Sequence, residues 1–205
     1  MKNNYLILVR HGESVWNLEN RFTGWVDVEL TPKGIEEAKA AGEELKTYHQ
    51  CDVLWTSDLK RAQESLALIL EKTKWKAPIV KTQALNERHY GDLQGLNKAE
   101  TAKKFGEEQV HAWRRSYDVR PPNGESLKDT VNRVRPILEN CILPSLGAGK
   151  NVCIVAHGNS NRALIKLIEN ISDSEIPNLE LATGKPYIYK VSGVSDGKPI
   201  LVRQS

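Results

Sequence analysis

Tyr5-Leu6-Ile7-Leu8-Val9-Arg10-His11-Gly12 is the stretch on which the architecture turns. An unbroken apolar run ending in a charged, glycine-containing turn predicts a strand buried on both faces, as in the middle of a parallel sheet. Asn151 to Ala156 repeats the pattern and also runs into a histidine and a glycine, His157-Gly158. Between them, Thr31 caps and Pro32 opens a helix with Ile35, Ala38, Gly42 and Leu45 at helical spacing. Cys51 to Trp55 reads as a second strand, and Thr56-Ser57 as the start of a helix carrying Leu59, Ala62, Leu66, Ile69 and Leu70. Ile79 to Leu85 is a weak segment, and Lys98 to Tyr117 reads as one polar helix before the Pro121-Pro122-Asn123-Gly124 break. Ser126 starts a further helix, kinked at Pro136, and Tyr187 to Val191 with Ile200 to Val202 predicts a hairpin around Asp196-Gly197. Strands alternating with helices predict an α/β fold, a mostly parallel central sheet with helices on both faces, as a single domain over residues 1–205.

Composition narrows the function. The chain has 205 residues, 40% hydrophobic and 27% charged, and a net charge of +3 spread along its length. That is a globular composition with no basic patch concentrated enough to predict nucleic-acid binding. Cys51, Cys141 and Cys153 are widely spaced, without a CxxC pair, which suggests neither disulfides nor a thiolate zinc site. The first apolar run is too short for a signal-peptide core, and no later segment is long enough to span a membrane. A cytoplasmic location without membrane contact is expected.

Ligands of open α/β sheets bind where strand carboxyl ends lead into helices, and two His-Gly pairs occupy such places. The glycines allow close backbone approach to a ligand. His49 and His111 lack this context and read as structural. His11, His157 and Glu87 would also suit a two-His, one-carboxylate zinc site, but Arg10, Arg61, Arg88, Arg114, Arg115 and Lys98 argue against it. Guanidinium groups repel a dication and form forked hydrogen bonds with phosphate. The expected chemistry is metal-independent phosphoryl transfer.

Leu8-Val9-Arg10-His11-Gly12-Glu13-Ser14 resembles the signature of the histidine phosphatase superfamily. Trp16-Asn17, Phe22-Thr23-Gly24-Trp25, Thr56-Ser57-Asp58-Leu59-Lys60-Arg61-Ala62 and Leu85 to Lys98 extend the likeness to its cofactor-dependent phosphoglycerate mutases. So do Trp113-Arg114-Arg115-Ser116-Tyr117, Gly124-Glu125-Ser126 and Ala156-His157-Gly158-Asn159-Ser160. The resemblance implies a phosphoglycerate mutase-like fold that interconverts 3-phosphoglycerate and 2-phosphoglycerate in glycolysis and gluconeogenesis. The priming donor would be 2,3-bisphosphoglycerate, with no metal. It implies His11 as nucleophile, Glu87 as general acid and base, and His157, Arg10 and Arg61 as phosphoryl ligands. Ser14 and Asn17 would add neutral donors, while Thr23, Gly24, Arg88, Tyr90, Lys98, Arg114, Arg115, Gly158 and Asn159 would line the substrate pocket. Trp16, Trp25 and Trp113 are assigned to packing and loop support.

Longer members carry an extra loop after the segment matching Pro121-Pro122 and a tail that closes over the site. The sequence lacks that loop and ends at Ser205, so a less covered site, with some phosphate lost to water, is expected. A monomer is favoured over a homodimer. The alternatives are a phosphatase of the same superfamily, distinguished by water as acceptor, and a catalytically silent binding module, which would leave the nucleophile and its clamps without a use.

Overall fold

The computed structural model describes residues 4–48 and 50–204, so His49 lies outside the described residues. In chain order the elements are β1 (Tyr5–Arg10), α1 (Val15–Leu18), α2 (Pro32–Leu45), β2 (Val53–Thr56), α3 (Lys60–Thr73), β3 (Ile79–Lys81), α4 (Lys98–Phe105), α5 (Glu107–Arg115), α6 (Leu127–Ile137), α7 (Leu143–Gly147), β4 (Val152–Ala156), α8 (Gly158–Glu169), β5 (Pro186–Ser195) and β6 (Lys198–Arg203). The strands form one sheet in the order β3-β2-β4-β1-β5-β6. Strands β3, β2, β4 and β1 run parallel, while the β5–β6 hairpin is antiparallel. Asp196 and Gly197, both at positive φ, make its turn.

Alternation along the central strands explains why both faces are covered. Leu6 and Leu8 of β1, with Val152, Ile154 and Ala156 of β4, join the core that includes Val131, Val134 and Leu164 from α6 and α8. Ile7, Val9, Cys153 and Val155 point the other way, into a core with Ala41 and Leu45 of α2 and Leu66 and Ile69 of α3. A one-residue slip would only exchange two apolar sets, so burial alone does not fix the register. Specific bonds at the strand ends do: the His11 amide donates to the Ala156 carbonyl at 2.9 Å, and Thr56 Oγ1 donates to the Val155 carbonyl at 2.9 Å.

Three helices differ from the sequence expectation. Helix α3 begins at Lys60 rather than at Thr56-Ser57, because Ser57 Oγ accepts the Leu59 amide and Asn86 Oδ1 accepts that of Asp58. Arg61 therefore lies in the first turn of α3. The Lys98–Tyr117 segment is two helices, α4 and α5, broken at Gly106, whose φ of 89° suits glycine. Pro136 lies inside α6 and has no amide to donate, and the chain widens into a π-turn at Leu138–Ile142 before α7.

Candidate active site

The carboxyl ends of β1, β4 and β2 lie side by side and deliver His11, His157 and Ser57 to one place. The His11 and His157 rings meet edge to face with centroids 5.0 Å apart, and both are buried. His11 Nδ1 is 2.7 Å from the Gly12 carbonyl, which can only accept. The proton therefore sits on Nδ1, and Nε2 keeps its lone pair. Burial, and then the positive charges of Arg61 and Arg10, hold the His11 imidazole well below its ordinary pKa and so neutral. His157 is held low by the same burial and by Arg61, followed by His11 and Arg10.

Ser57 Oγ lies 2.7 Å from His157 Nε2 while accepting the Leu59 amide. His157 Nδ1, on the other side of the ring, is buried without a hydrogen-bond partner. Two buried donors beside the ring, Arg10 Nε and Arg61 Nε, also lack partners. Their guanidinium groups are otherwise engaged with backbone. Arg10 Nη1 donates to Leu181 O at 2.7 Å, and Arg61 Nη1 and Nη2 donate to Val26 O and Gly24 O at 3.0 and 2.8 Å. Burial draws Arg61 down to about 10, which leaves it charged at neutral pH. Unpaired buried donors are costly unless a ligand satisfies them, and an oxyanion fits both.

Glu87 Oε1 accepts the amides of Arg88 and Asn159 at 2.8 and 3.0 Å. A Cβ added to Gly158 would lie 3.5 Å from Arg10 Nε and 3.6 Å from Glu87 Oε2, so glycine there leaves open the space the two share. Burial alone would raise the Glu87 carboxyl, yet the Arg88 amide, the charges of Arg61 and Arg10 and the Asn159 amide outweigh it and hold it below the usual value. The site thus presents a neutral imidazole beside an ionised carboxylate.

A cavity of about 180 Å³ opens beside these groups. Of the sequence-predicted residues, Arg10, Asn17, Thr23, Gly24, Glu87, Tyr90, Lys98, Arg114, Arg115 and Asn159 line it. Arg88 sits behind that wall, fully buried, donating to Tyr90 Oη and to the Arg114 carbonyl, both at 3.1 Å. Ser14 is also set back. Its hydroxyl caps α1 and donates to Asn17 Oδ1 at 3.0 Å, so it orients Asn17 instead of facing the cavity. Trp25 Nε1 donates to the Glu87 carbonyl at 2.6 Å, and Trp113 packs with Phe22, Leu93 and Val110. His111 is exposed on α5.

Sequence reasoning missed Arg21, Phe22, Arg162 and Glu180 in the cavity wall, and Ser57 behind His157. Arg162 had a signal. It stands three residues after Asn159 on α8, which puts both on one helix side, and its Nη1 donates to Asn159 Oδ1 at 2.7 Å. Glu180 had none, since only the closed fold brings its loop to α5.

The sequence profile of the histidine phosphatase superfamily (branch 1) matches residues 6–203. The chain belongs to that family. Within it, the chain is 54% identical to the 2,3-bisphosphoglycerate-dependent phosphoglycerate mutase of Cytophaga hutchinsonii, covering 93% of this chain and 89% of that one. It is 55% identical to the enzyme of the same name from Beijerinckia indica, covering 91% of each. It therefore falls among the phosphoglycerate mutases of the superfamily. A solved mycobacterial glucosyl-3-phosphoglycerate phosphatase shares the fold with a TM-score of 0.81 at 26% identity, covering 98% of this chain and 97% of that one. The same scaffold thus also carries proteins named phosphatases.

Proposed function

We propose that residues 1–205 act as one catalytic domain that interconverts 3-phosphoglycerate and 2-phosphoglycerate through a phosphohistidine at His11. The observation that carries this reading is the convergence of two buried, unpartnered guanidinium donors, Arg10 Nε and Arg61 Nε, with the buried His157 ring beside the neutral His11. 2,3-Bisphosphoglycerate, when bound, supplies the phosphoryl group that primes the enzyme. Arg10, Arg61 and His157 hold the equatorial oxygens as charge develops on them. His11 Nε2 attacks phosphorus in line, and Glu87 Oε2 gives its proton to the departing alkoxide. In the return step the N–P bond breaks, the acceptor hydroxyl oxygen takes the phosphoryl group and Glu87 takes the hydroxyl proton. Glu87 can serve both ways because an incoming dianion offsets the arginine charges that depress its pKa, which favours its protonated form.

Lys98, Arg114 and Arg115 give the cavity its affinity for the carboxylate and second phosphate of the substrate. Metal independence belongs to the same reading: arginines and histidines supply the charge stabilisation, and no cluster of three or more potential metal ligands occurs among the described residues. No helix among those residues is long and apolar enough to cross a membrane. A cytoplasmic monomer acting on free phosphoglycerates is the form we propose.

A coupled enolase assay on 3-phosphoglycerate, with and without 2,3-bisphosphoglycerate, tests the proposal. Turnover should depend on the bisphosphate, and 2-phosphoglycerate formation measured directly, without the magnesium-dependent coupling enzyme, should survive exhaustive treatment with EDTA. Phosphate release without 2-phosphoglycerate would replace the mutase reading with the phosphatase one.

A further inference from the structure

Glu180 is a second carboxylate, besides Glu87, in the wall of a cavity whose cations suit carboxylates and phosphates. Its Oε1 lies 2.7 Å from Arg115 Nη2, although its side chain is 68% exposed and that of Arg115 only 29%. The backbone on either side is tied to the cavity. Arg162 Nε and Nη2 both donate to the Leu179 carbonyl, at 2.9 and 2.8 Å, and Arg10 Nη1 donates to the Leu181 carbonyl at 2.7 Å. Two arginines of the site therefore grip the residues flanking Glu180 and present its side chain to a third. An exposed ion pair of this kind adds little to stability. Its position at the rim of an anion cavity has a larger consequence for binding.

We propose that Glu180 is a built-in competitor for the anionic substrate. It occupies Arg115 when the cavity is empty and lowers affinity most for the most highly charged ligand. The inference rests on the phosphoglycerate reading of the site. An arriving ligand exchanges one carboxylate for another at Arg115, so no guanidinium need be stripped of its partner. The displaced Glu180 charge remains at the rim, where it opposes a bisphosphate more than a monophosphate. Glu180 is in this sense a specificity-determining residue: it disfavours retention of the bisphosphate over the monophosphates.

The test is calorimetric titration of the whole protein with 2,3-bisphosphoglycerate and with 3-phosphoglycerate, using the wild type, Glu180→Gln and Glu180→Asp. Glu180→Gln should bind the bisphosphate about two- to fivefold more tightly, the range expected for removing one exposed charge. The monophosphate should gain less, and both gains should shrink as salt rises. Glu180→Asp, which keeps the charge, should stay close to the wild type. In an Arg115→Met background the Glu180→Gln gain should change from its size in the wild type, because the competition for Arg115 is gone and only the salt-sensitive repulsion at the rim remains. Unchanged or weaker bisphosphate binding in Glu180→Gln overturns the proposal, as does an equal gain for both ligands. The enolase-coupled assay of the wild type separates the two levels of argument. An inactive wild type sinks the mutase reading, whereas an active wild type with an indifferent Glu180→Gln sinks only the role of Glu180.

Discussion

The proton on His11 Nδ1 is what makes the opposite nitrogen useful. Because the Gly12 carbonyl fixes that tautomer and burial keeps the ring neutral, Nε2 is a nucleophile before any substrate arrives. Glu87 has a different task, and an activated donor separates the two. His11→Asn should abolish phosphoenzyme formation from every donor, since His157 Nε2 is already engaged with the Ser57 hydroxyl at 2.7 Å. General acid catalysis is worth about a hundred- to ten-thousandfold, or roughly 3 to 5.5 kcal/mol, and matters most for a basic leaving group. Glu87→Gln should therefore lose most mutase turnover yet keep much of its phosphoenzyme formation from p-nitrophenyl phosphate, measured by the burst of nitrophenol. The wild type must first accept that donor. Equal damage with both donors would make Glu87 a positioning residue. Much of this chemistry was legible residue by residue, because strand-end histidines and arginines are local sequence features. The set-back of Ser14 and Arg88 was not, since which polar atoms face a cavity depends on what their neighbours already satisfy.

Helix α2 meets the nucleophile loop through close backbone contact. A Cβ on Gly12 would lie 2.0 Å from the Gly34 carbonyl oxygen, and one on Gly34 would lie 2.0 Å from the Glu13 carbonyl oxygen. The first turn of α2 therefore rests directly on the backbone that follows His11. Two effects compete in Gly34→Ala. Alanine raises helix propensity by up to about 1 kcal/mol, but the contact with a backbone oxygen cannot be relieved by a rotamer change. Overpacking of this kind costs roughly 1–3 kcal/mol or more. The expected result is a Tm several degrees lower, together with reduced phosphoenzyme formation as the loop shifts. A Tm at or above the wild-type value would mean that helix and loop separate freely. The sequence announced α2 through Thr31-Pro32, but Gly34 carries no mark of its contact. It misplaced the start of α3 for a related reason: Ser57 reads as a helix cap, yet its hydroxyl serves Leu59 and His157 in a turn before the helix.

At the scale of the whole molecule, the fold carries two neutral histidines and a cluster of guanidinium groups at the buried carboxyl edge of its sheet, and acid should find that arrangement weak. His11 and His157 both have folded-state pKa values well below the ordinary 6.5 because of burial and then Arg61. In the unfolded chain both return to that value. From about pH 6.5 down to the depressed native values, the unfolded state binds protons that the native state refuses, so stability falls as pH falls. One unit below 6.5, each histidine costs up to about 1.4 kcal/mol, a sizeable share of the roughly 5–15 kcal/mol typical of a folded protein. Urea unfolding at pH 7.5 and pH 5.5 measures the loss, and His11→Asn isolates one contribution because carboxylate effects common to both proteins cancel. The variant should lose about 1 kcal/mol less than the wild type between the two pH values. An oxyanion bound among Arg10, Arg61 and His157 should weaken the dependence, since its negative charge favours protonation of His157 in the folded state. If the wild type and His11→Asn lose the same stability, the His11 ring is taking up its proton in the folded protein, and burial together with the arginines is not keeping the nucleophile neutral.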